Sequence, residues 1–225
     1  MADYSLNVGF TNDQLKTLYA TGTNVVVAKP SGAGNPNVAW QVFKPLMANQ
    51  LAWDEQYGLY ASTSNVTNGA TLTQMSSVPV GAAMNKLYTL QDSGVISGPA
   101  SGGQQNAFSL LNVYSGMPYM TVGLYQNANV NGIDILGNAI SAVPVLKMST
   151  AVMTPYTTVY IWLQSQVASN SVVTNVTSPM TQLNFGGGIN NISVAYDSDS
   201  GTFLPTGNFS MTAKKPEVII IEPSL

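Results

Sequence analysis

The chain has 225 residues, of which 45% are hydrophobic and only 8% are charged, and its formal net charge is −3. It contains no Cys and no His, and each of its seven basic residues is a Lys. The length and the hydrophobic fraction suit a packed domain rather than a disordered chain. Because imidazole, thiol and guanidinium groups are missing, most reagents of enzyme chemistry are missing too. We therefore expect a protein that is not an enzyme and that carries no cofactor and no metal.

The charge pattern limits the partners. Lys214-Lys215 is the only adjacent basic pair, so no basic run is available to neutralise phosphates, and we expect no nucleic-acid partner. Residues 1–6 contain neither a basic region nor an apolar stretch and do not resemble a signal peptide. These features predict synthesis in the cytoplasm, and release by a leaderless route is left open.

One helix is predicted near the N-terminus, at about Thr11–Thr21. Thr11 and Gln14 have the spacing of a capping box, and Gly22 supplies the C-terminal stop. The apolar stripe of this helix would consist of Leu15, Leu18 and Tyr19.

The rest of the chain predicts strands. Residues 24–28 form a β-branched run that ends at Lys29-Pro30, residues 38–43 and 192–196 alternate in polarity, and residues 218–221 resemble a buried closing strand. Asn-Gly turn signals recur between such runs. Short strands at close spacing favour an all-β fold, either an antiparallel β-sandwich or a jelly-roll-like barrel.

We predict a single β domain over residues 1–225, and two related halves are an open alternative. Gly58-Leu59-Tyr60 and Gly123-Leu124-Tyr125 lie 65 residues apart, and a Val-Pro-Val triplet follows each of them after 20 positions. This similarity indicates either two related β modules or coincidence in a sequence of low diversity. Residues 93–105, rich in Gly, Ser, Pro and Gln, are predicted to be a mobile surface loop and a boundary between the halves.

An aromatic strand supplies the candidate ligand-binding residues. Tyr156, Tyr160 and Trp162 alternate with aliphatic residues that belong in a core. If the aromatic face is exposed, these three residues could stack on sugar rings or dock a second subunit. The alternative is a central strand that is buried on both faces.

Three further segments contain residues that could support a chemical or membrane function. Asp54 and Glu55 are adjacent, so a strand would point them to opposite faces, and we expect a solvated turn there. Residues 197–201 resemble the start of a calcium loop, but a polar hairpin tip fits better because the later ligand positions do not match. Residues 171–184 are uncharged, which suits an ordinary surface hairpin or a hairpin that inserts into a membrane.

The leading functional hypothesis is a lectin-like recognition protein that binds carbohydrate and acts as a homo-oligomer. Its partner would be a glycan or a glycosylated cell surface. One alternative is a pore-forming toxin, the only hypothesis in which a membrane is a partner. The other is a self-assembling structural or storage protein, because a neutral amide and hydroxyl surface opposes association weakly.

Overall fold

The computed structural model describes residues 3–32, 34–206 and 218–221. In these residues the helix is α1 (Asn12–Ala20). The strands are, in chain order, β1 (Asp3–Gly9), β2 (Thr23–Ala28), β3 (Val38–Ala39), β4 (Gln41–Phe43), β5 (Ala48–Asp54), β6 (Gly58–Ser62), β7 (Gln74–Val78), β8 (Lys86–Leu90), β9 (Ile96–Ala100), β10 (Phe108–Asn112), β11 (Tyr119–Val130), β12 (Ile133–Ala139), β13 (Val143–Leu146), β14 (Thr150–Met153), β15 (Thr158–Ser165), β16 (Ser171–Val172), β17 (Met180–Asn184), β18 (Asn191–Asp197), β19 (Thr202–Pro205) and β20 (Val218–Ile221). The prediction of an all-β, sandwich-like fold with one short N-terminal helix is confirmed.

Nine strands form the largest sheet, which we call sheet 1. Its strand order is β19-β18-β1-β5-β11-β6-β7, and β12 and β13 also pair with β11. The pair β1/β18 is parallel, and the other described pairs of this sheet are antiparallel. Because β11 pairs with β5, β6, β12 and β13, this long strand connects most of the sheet.

Two smaller sheets complete the fold. Sheet 2 has the order β20-β17-β15-β2-β4 and is antiparallel. Sheet 3 has the order β14-β10-β8-β9, in which β8 and β10 are parallel. A separate two-stranded ladder joins β3 and β16. The two parallel pairs depart from a purely antiparallel arrangement, and each joins strands that no hairpin connects.

The main core lies between the inner faces of sheets 1 and 2. Leu6 and Leu51 come from sheet 1, whereas Val27 and Ile161 come from sheet 2, and all four are fully buried. Sheet 3 contributes residues such as Phe108 to the same cluster. Burial of such side chains supplies most of the driving force for folding, at about 1.5–3 kcal/mol for each large aliphatic residue.

Two smaller cores cover the outer faces of the central strands. The outer core of sheet 2 contains Val26, Ala28, Ala39, Tyr160, Trp162, Val173 and Met180. The outer core of sheet 1 contains Val38, Tyr60, Leu72, Tyr125, Ala139, Ala142 and Val172. The ladder of β3 and β16 contributes to both outer cores, so the central strands of both sheets are buried on both faces.

Helix α1 forms as predicted. The hydroxyl of Thr11 accepts a hydrogen bond from the Gln14 N–H (3.3 Å), and the Gln14 side chain accepts one from the Thr11 N–H (2.9 Å). Gly22 has a φ of 62°, the left-handed conformation that ends many helices. Tyr19 of the predicted apolar stripe is 43% exposed, whereas the other two members are buried. No helix in the described residues has the length and apolar character needed to cross a membrane.

Three of the four predicted strands form, and the fourth is divided in two. Strands β2, β18 and β20 form where the sequence predicts them, although the side chains of β20 lie outside the described residues. The single strand predicted over residues 38–43 is wrong, because it splits into β3 and β4 at Trp40. Its alternating residues Val38, Trp40 and Val42 pack in three different clusters, so the chain turns here instead of continuing.

The two similar segments lie side by side in sheet 1. Leu59 of β6 pairs with Leu124 of β11, its own counterpart 65 residues later, so Gly58 faces Tyr125 and Tyr60 faces Gly123. This register places a local twofold axis at the leucine pair. Each glycine leaves room for the tyrosine ring of the other segment, because an added Cβ would collide with that ring. The tyrosine contacts are therefore exchanged symmetrically between the segments.

The segment 93–105 is not a continuous loop. It contains β9, which pairs with β8, and the Ile96 N–H donates to the Ser76 hydroxyl (3.1 Å). The loop prediction is therefore wrong over residues 96–100, where pairing to a neighbouring strand overrides the Gly- and Ser-rich composition. A boundary between two halves stays a prediction.

Candidate functional site

A buried ammonium group lies between sheets 1 and 2. Lys29 directly follows β2, and its side chain is fully buried. Its Nζ lies 2.7 Å from Oε1 of Glu55, which directly follows β5 and is 18% exposed at its side chain. The pair therefore joins a strand of sheet 2 to a strand of sheet 1.

Each proton of this ammonium group has an acceptor. Nζ of Lys29 donates to Glu55 Oε1 (2.7 Å), to Gln126 Oε1 (3.0 Å) and to the Tyr57 hydroxyl (3.3 Å). An ammonium group has three donors and no acceptor, so its hydrogen-bonding capacity is filled. Such complete pairing is what makes a buried charge tolerable.

Three aromatic rings surround the same nitrogen. Nζ of Lys29 lies 5.6 Å from the ring centre of Trp40, 5.5 Å from that of Trp53 and 5.3 Å from that of Tyr57. The electron-rich faces of such rings attract a cation within about 6 Å. We call Lys29, Glu55, Gln126 and these three aromatic residues the lysine cage.

The Glu55 carboxylate also accepts hydrogen bonds from groups other than Lys29. Glu55 accepts hydrogen bonds from the Trp53 indole N–H (3.0 Å) and from the Tyr57 hydroxyl. Burial lowers the pKa of Lys29, and the negative charge of Glu55 partly opposes that shift. Burial, followed by the charge and hydrogen bond of Glu55, raises the pKa of Tyr57. The phenol therefore stays protonated and remains a donor at neutral pH.

The sequence predicts that Asp54 and Glu55 point apart and lie in a solvated turn, and only the first part holds for both residues. Asp54 is exposed while Glu55 turns inward to Lys29, so the two carboxylates do separate. The predicted solvated turn is wrong for Glu55, because its carboxylate is paired with the buried Lys29 ammonium instead of being hydrated by water. Lys29 and Gln126 were not identified as site residues from the sequence. The available signal was a lone lysine directly after the apolar run of β2 in a chain with few charges.

The predicted aromatic platform is not exposed. Trp162 is 1% exposed and Tyr160 is 7% exposed, whereas Tyr156, which precedes β15, is 39% exposed. β15 is the middle strand of sheet 2, and segments near β3 and β16 cover its outer face. Of the two alternatives, an exposed aromatic face is therefore wrong for Tyr160 and Trp162, and a central strand buried on both faces is confirmed. Its aliphatic face lies in the main core, as predicted.

The segment 171–184 does not form a hairpin. β16 pairs with β3, whereas β17 pairs with β15 and β20. Val172 and Val173 are both buried, in different outer cores, and these attachments separate the two arms. The ordinary surface hairpin is therefore wrong, and the pore-forming hypothesis, in which this segment unfolds and inserts into a membrane, stays a prediction.

Residues 197–201 form the polar hairpin tip that the sequence predicts, between β18 and β19. Ser200 donates to the Asp197 carboxylate through its N–H (3.1 Å) and its hydroxyl (2.5 Å). These hydrogen bonds hold the pKa of Asp197 below its usual range. In the part of the chain that the structure describes, no group of three or more His, Cys, Asp or Glu side chains is placed to hold a metal ion.

A cleft of about 250 Å³ opens beside the lysine cage, between β5 and the hairpin of β11 and β12. It is lined by Ala52, Trp53, Asp54, Gln56, Val80, Asn127, Ala128, Asn129, Asp134 and Leu136. Partial loss of solvation at its carboxyl group and a hydrogen bond with Asp3 on the neighbouring strand raise the pKa of Asp54. The cleft thus combines carboxylates, amides and apolar side chains, and its lining contains no cation.

Comparison with known proteins adds no assignment, since the chain matches no protein-family model, no curated protein and no solved structure.

We expect Lys29→Met to lower the free energy of unfolding by about 3–5 kcal/mol, because it leaves the Glu55 carboxylate buried without its cation. Lys44→Met is the matched control. Lys44 is exposed, and its Nζ lies 4.3 Å from the ring centre of Tyr19, so this change should lower stability by no more than about 1 kcal/mol. Urea denaturation of both variants measures the difference, and equal stabilities would show that the buried pair contributes nothing.

Proposed function

We propose that the protein is a non-catalytic recognition protein that binds a neutral carbohydrate in the cleft between β5 and the β11–β12 hairpin, and that it acts as a homo-oligomer. The chemical character of the cleft lining carries this proposal. Asp54 and Asp134 supply hydrogen-bond acceptors, and Asn127 and Asn129 supply both donors and acceptors. Sugar hydroxyls need this mixture.

The charge of the cleft narrows the ligand class. Two carboxylates and no Lys line it, so an anionic ligand such as a phosphate or sulfate ester would be repelled. Val80, Ala128 and Leu136 offer apolar surface for the C–H face of a sugar ring. The volume lies just below the roughly 300–1,000 Å³ of sites for drug-sized ligands, which favours one or two sugar rings.

The polar groups of the cleft are held in place before a ligand arrives. Asn129 Nδ2 donates to Asp134 Oδ1 (2.6 Å), and Asn129 Oδ1 accepts from the Gly132 N–H (2.9 Å). Asn127 Oδ1 accepts from the Gly137 N–H (2.9 Å). Fixed side chains lose little conformational entropy on binding, and this preorganisation favours affinity from few contacts.

Exposed apolar side chains favour the oligomeric part of the proposal. Ile133 and Leu136 of β12 are 68% and 73% exposed at the edge of the cleft. Leu146 and Met148 are 64% and 69% exposed near the end of β13. With 8% charged residues, little repulsion opposes contact between copies. Several weak sites on one oligomer would bind a glycosylated surface with greater avidity than one site alone.

We expect Asp134→Ala to weaken carbohydrate binding about tenfold or more, because a hydrogen bond to a charged group contributes about 1.5–3 kcal/mol. A glycan array first identifies the sugar, and titration calorimetry with that sugar compares the variants. Asp13→Ala, which removes an exposed carboxylate on α1, is the control and should bind normally. If the wild-type protein binds no glycan on the array, the proposal is contradicted. Unchanged binding by Asp134→Ala would contradict it too.

We expect light scattering at micromolar concentration to give a mass that is a multiple of 23.7 kDa, the mass of one chain, because association would cover the exposed apolar side chains. A concentration-independent mass of one chain would contradict the oligomeric part of the proposal.

A further inference from the structure

The lysine cage holds the three groups that an amide-forming reaction requires. Lys29 Nζ is an amine nucleophile, and it lies 3.0 Å from Oε1 of the Gln126 side-chain amide. Glu55 Oε1, a proton acceptor, lies 2.7 Å from the same nitrogen. Groups held at such distances react as if at very high concentration, since no encounter step is needed.

We propose that, once the protein has folded around the Lys29–Glu55 ion pair, Lys29 and Gln126 become joined by an intramolecular amide bond at mildly alkaline pH, with Glu55 carrying the proton from the amine to the leaving group. The cross-link would connect the end of β2 in sheet 2 to β11 in sheet 1. Its two residues are 97 positions apart in the chain.

The reaction balances without an external reagent. Glu55 accepts one proton from the Lys29 ammonium, and the neutral Nζ attacks Cδ of Gln126. The Nζ–Cδ bond forms, and a second proton leaves Nζ as the Cδ–Nε2 bond breaks. Glu55 delivers the first proton to Nε2, which leaves as ammonia. Glu55 then takes the second proton from Nζ and passes it to that ammonia, so the products are an amide, an ionised carboxylate and an ammonium ion. No electron is gained or lost by any external group.

The surroundings of the cage favour attack of the Lys29 amine on the Gln126 amide. Burial lowers the pKa of Lys29, which increases the fraction of neutral amine that is able to attack. The rings of Trp40, Trp53 and Tyr57 surround the nitrogen and exclude the water that would compete as a nucleophile.

The amide of Gln126 is held with its carbonyl towards the amine. Its Nε2 donates to the backbone carbonyl of Asp54 (2.6 Å), while its Oε1 accepts from Lys29. Two partners of opposite kind fix which end of the amide is which. The leaving nitrogen therefore lies beside the backbone of Asp54, a residue that lines the cleft.

Denaturing mass spectrometry of the full-length recombinant protein tests the proposal. The folded protein is held at mildly alkaline pH until its mass stops changing, and the mass is compared with the sequence after allowing for removal of Met1. We expect a deficit of one ammonia. A protein that keeps its full mass overturns the proposal, and so does a deficit of one water, which would indicate condensation of Lys29 with a carboxyl group.

A peptide map locates the lost ammonia. Succinimide formation at Asn68-Gly69 or Asn131-Gly132 also releases ammonia, so the deficit alone does not identify the bond. Tandem spectra should show the Lys29 peptide covalently attached to the Gln126 peptide. A deficit that maps to either Asn-Gly pair contradicts the proposal.

Variants separate the roles of the three groups. Gln126→Ala and Glu55→Gln should each retain the full mass, the first because it lacks the acyl group and the second because it lacks the proton acceptor. Gln41→Leu, which replaces another buried glutamine, on the β4 strand that pairs with β2, should keep the ammonia deficit. If a variant fails to fold, the wild-type mass and peptide map still decide. A Gln126→Ala protein that shows the cross-linked deficit would overturn the assignment.

Discussion

Placing an ammonium group where water cannot reach it imposes the strongest single constraint on this fold. Lys29 is fully buried, and a buried charge is tolerated only when its partners are complete and well oriented. Glu55 and Tyr57, from the connection between β5 and β6, and Gln126, from β11, provide those partners. The cage therefore fixes how the end of β2 approaches β5 and β11, and with it how sheet 2 sits on sheet 1.

Elsewhere in the interior, Asn side chains provide hydrogen-bond partners for buried backbone groups. Asn112 is fully buried and donates to the Val145 carbonyl (3.0 Å). Asn37 both donates to and accepts from the backbone of Ala142, and Asn170 accepts from the Ala139 N–H. Each satisfies backbone groups where the chain leaves a regular ladder, since an unpaired buried group would cost about 1–3 kcal/mol. The amide-rich composition thus serves the interior as well as the surface.

Local signals in the sequence were sufficient for some elements and insufficient for others. The capping box of Thr11 and the run of β2 are specified by residues a few positions apart, and both form as predicted. The aromatic strand illustrates the limit, because alternation identifies two faces but not what covers the second face, and Trp162 is buried by segments distant in sequence. The cage was missed for the same reason, since Lys29 and Gln126 meet only after both sheets have formed.

A double-mutant cycle on Lys29→Met and Glu55→Leu tests most directly the claim that this buried pair joins the two sheets. Unfolding free energies of the wild type, both single variants and the double variant, measured at neutral pH on protein whose mass shows no Lys29–Gln126 cross-link, give the coupling between the two side chains. We expect the double variant to be more stable than the sum of the single effects implies, by about 1–3 kcal/mol, because neither partner is left buried alone. Effects that add to within about 0.3–0.5 kcal/mol would show that the two side chains act independently and would contradict that claim.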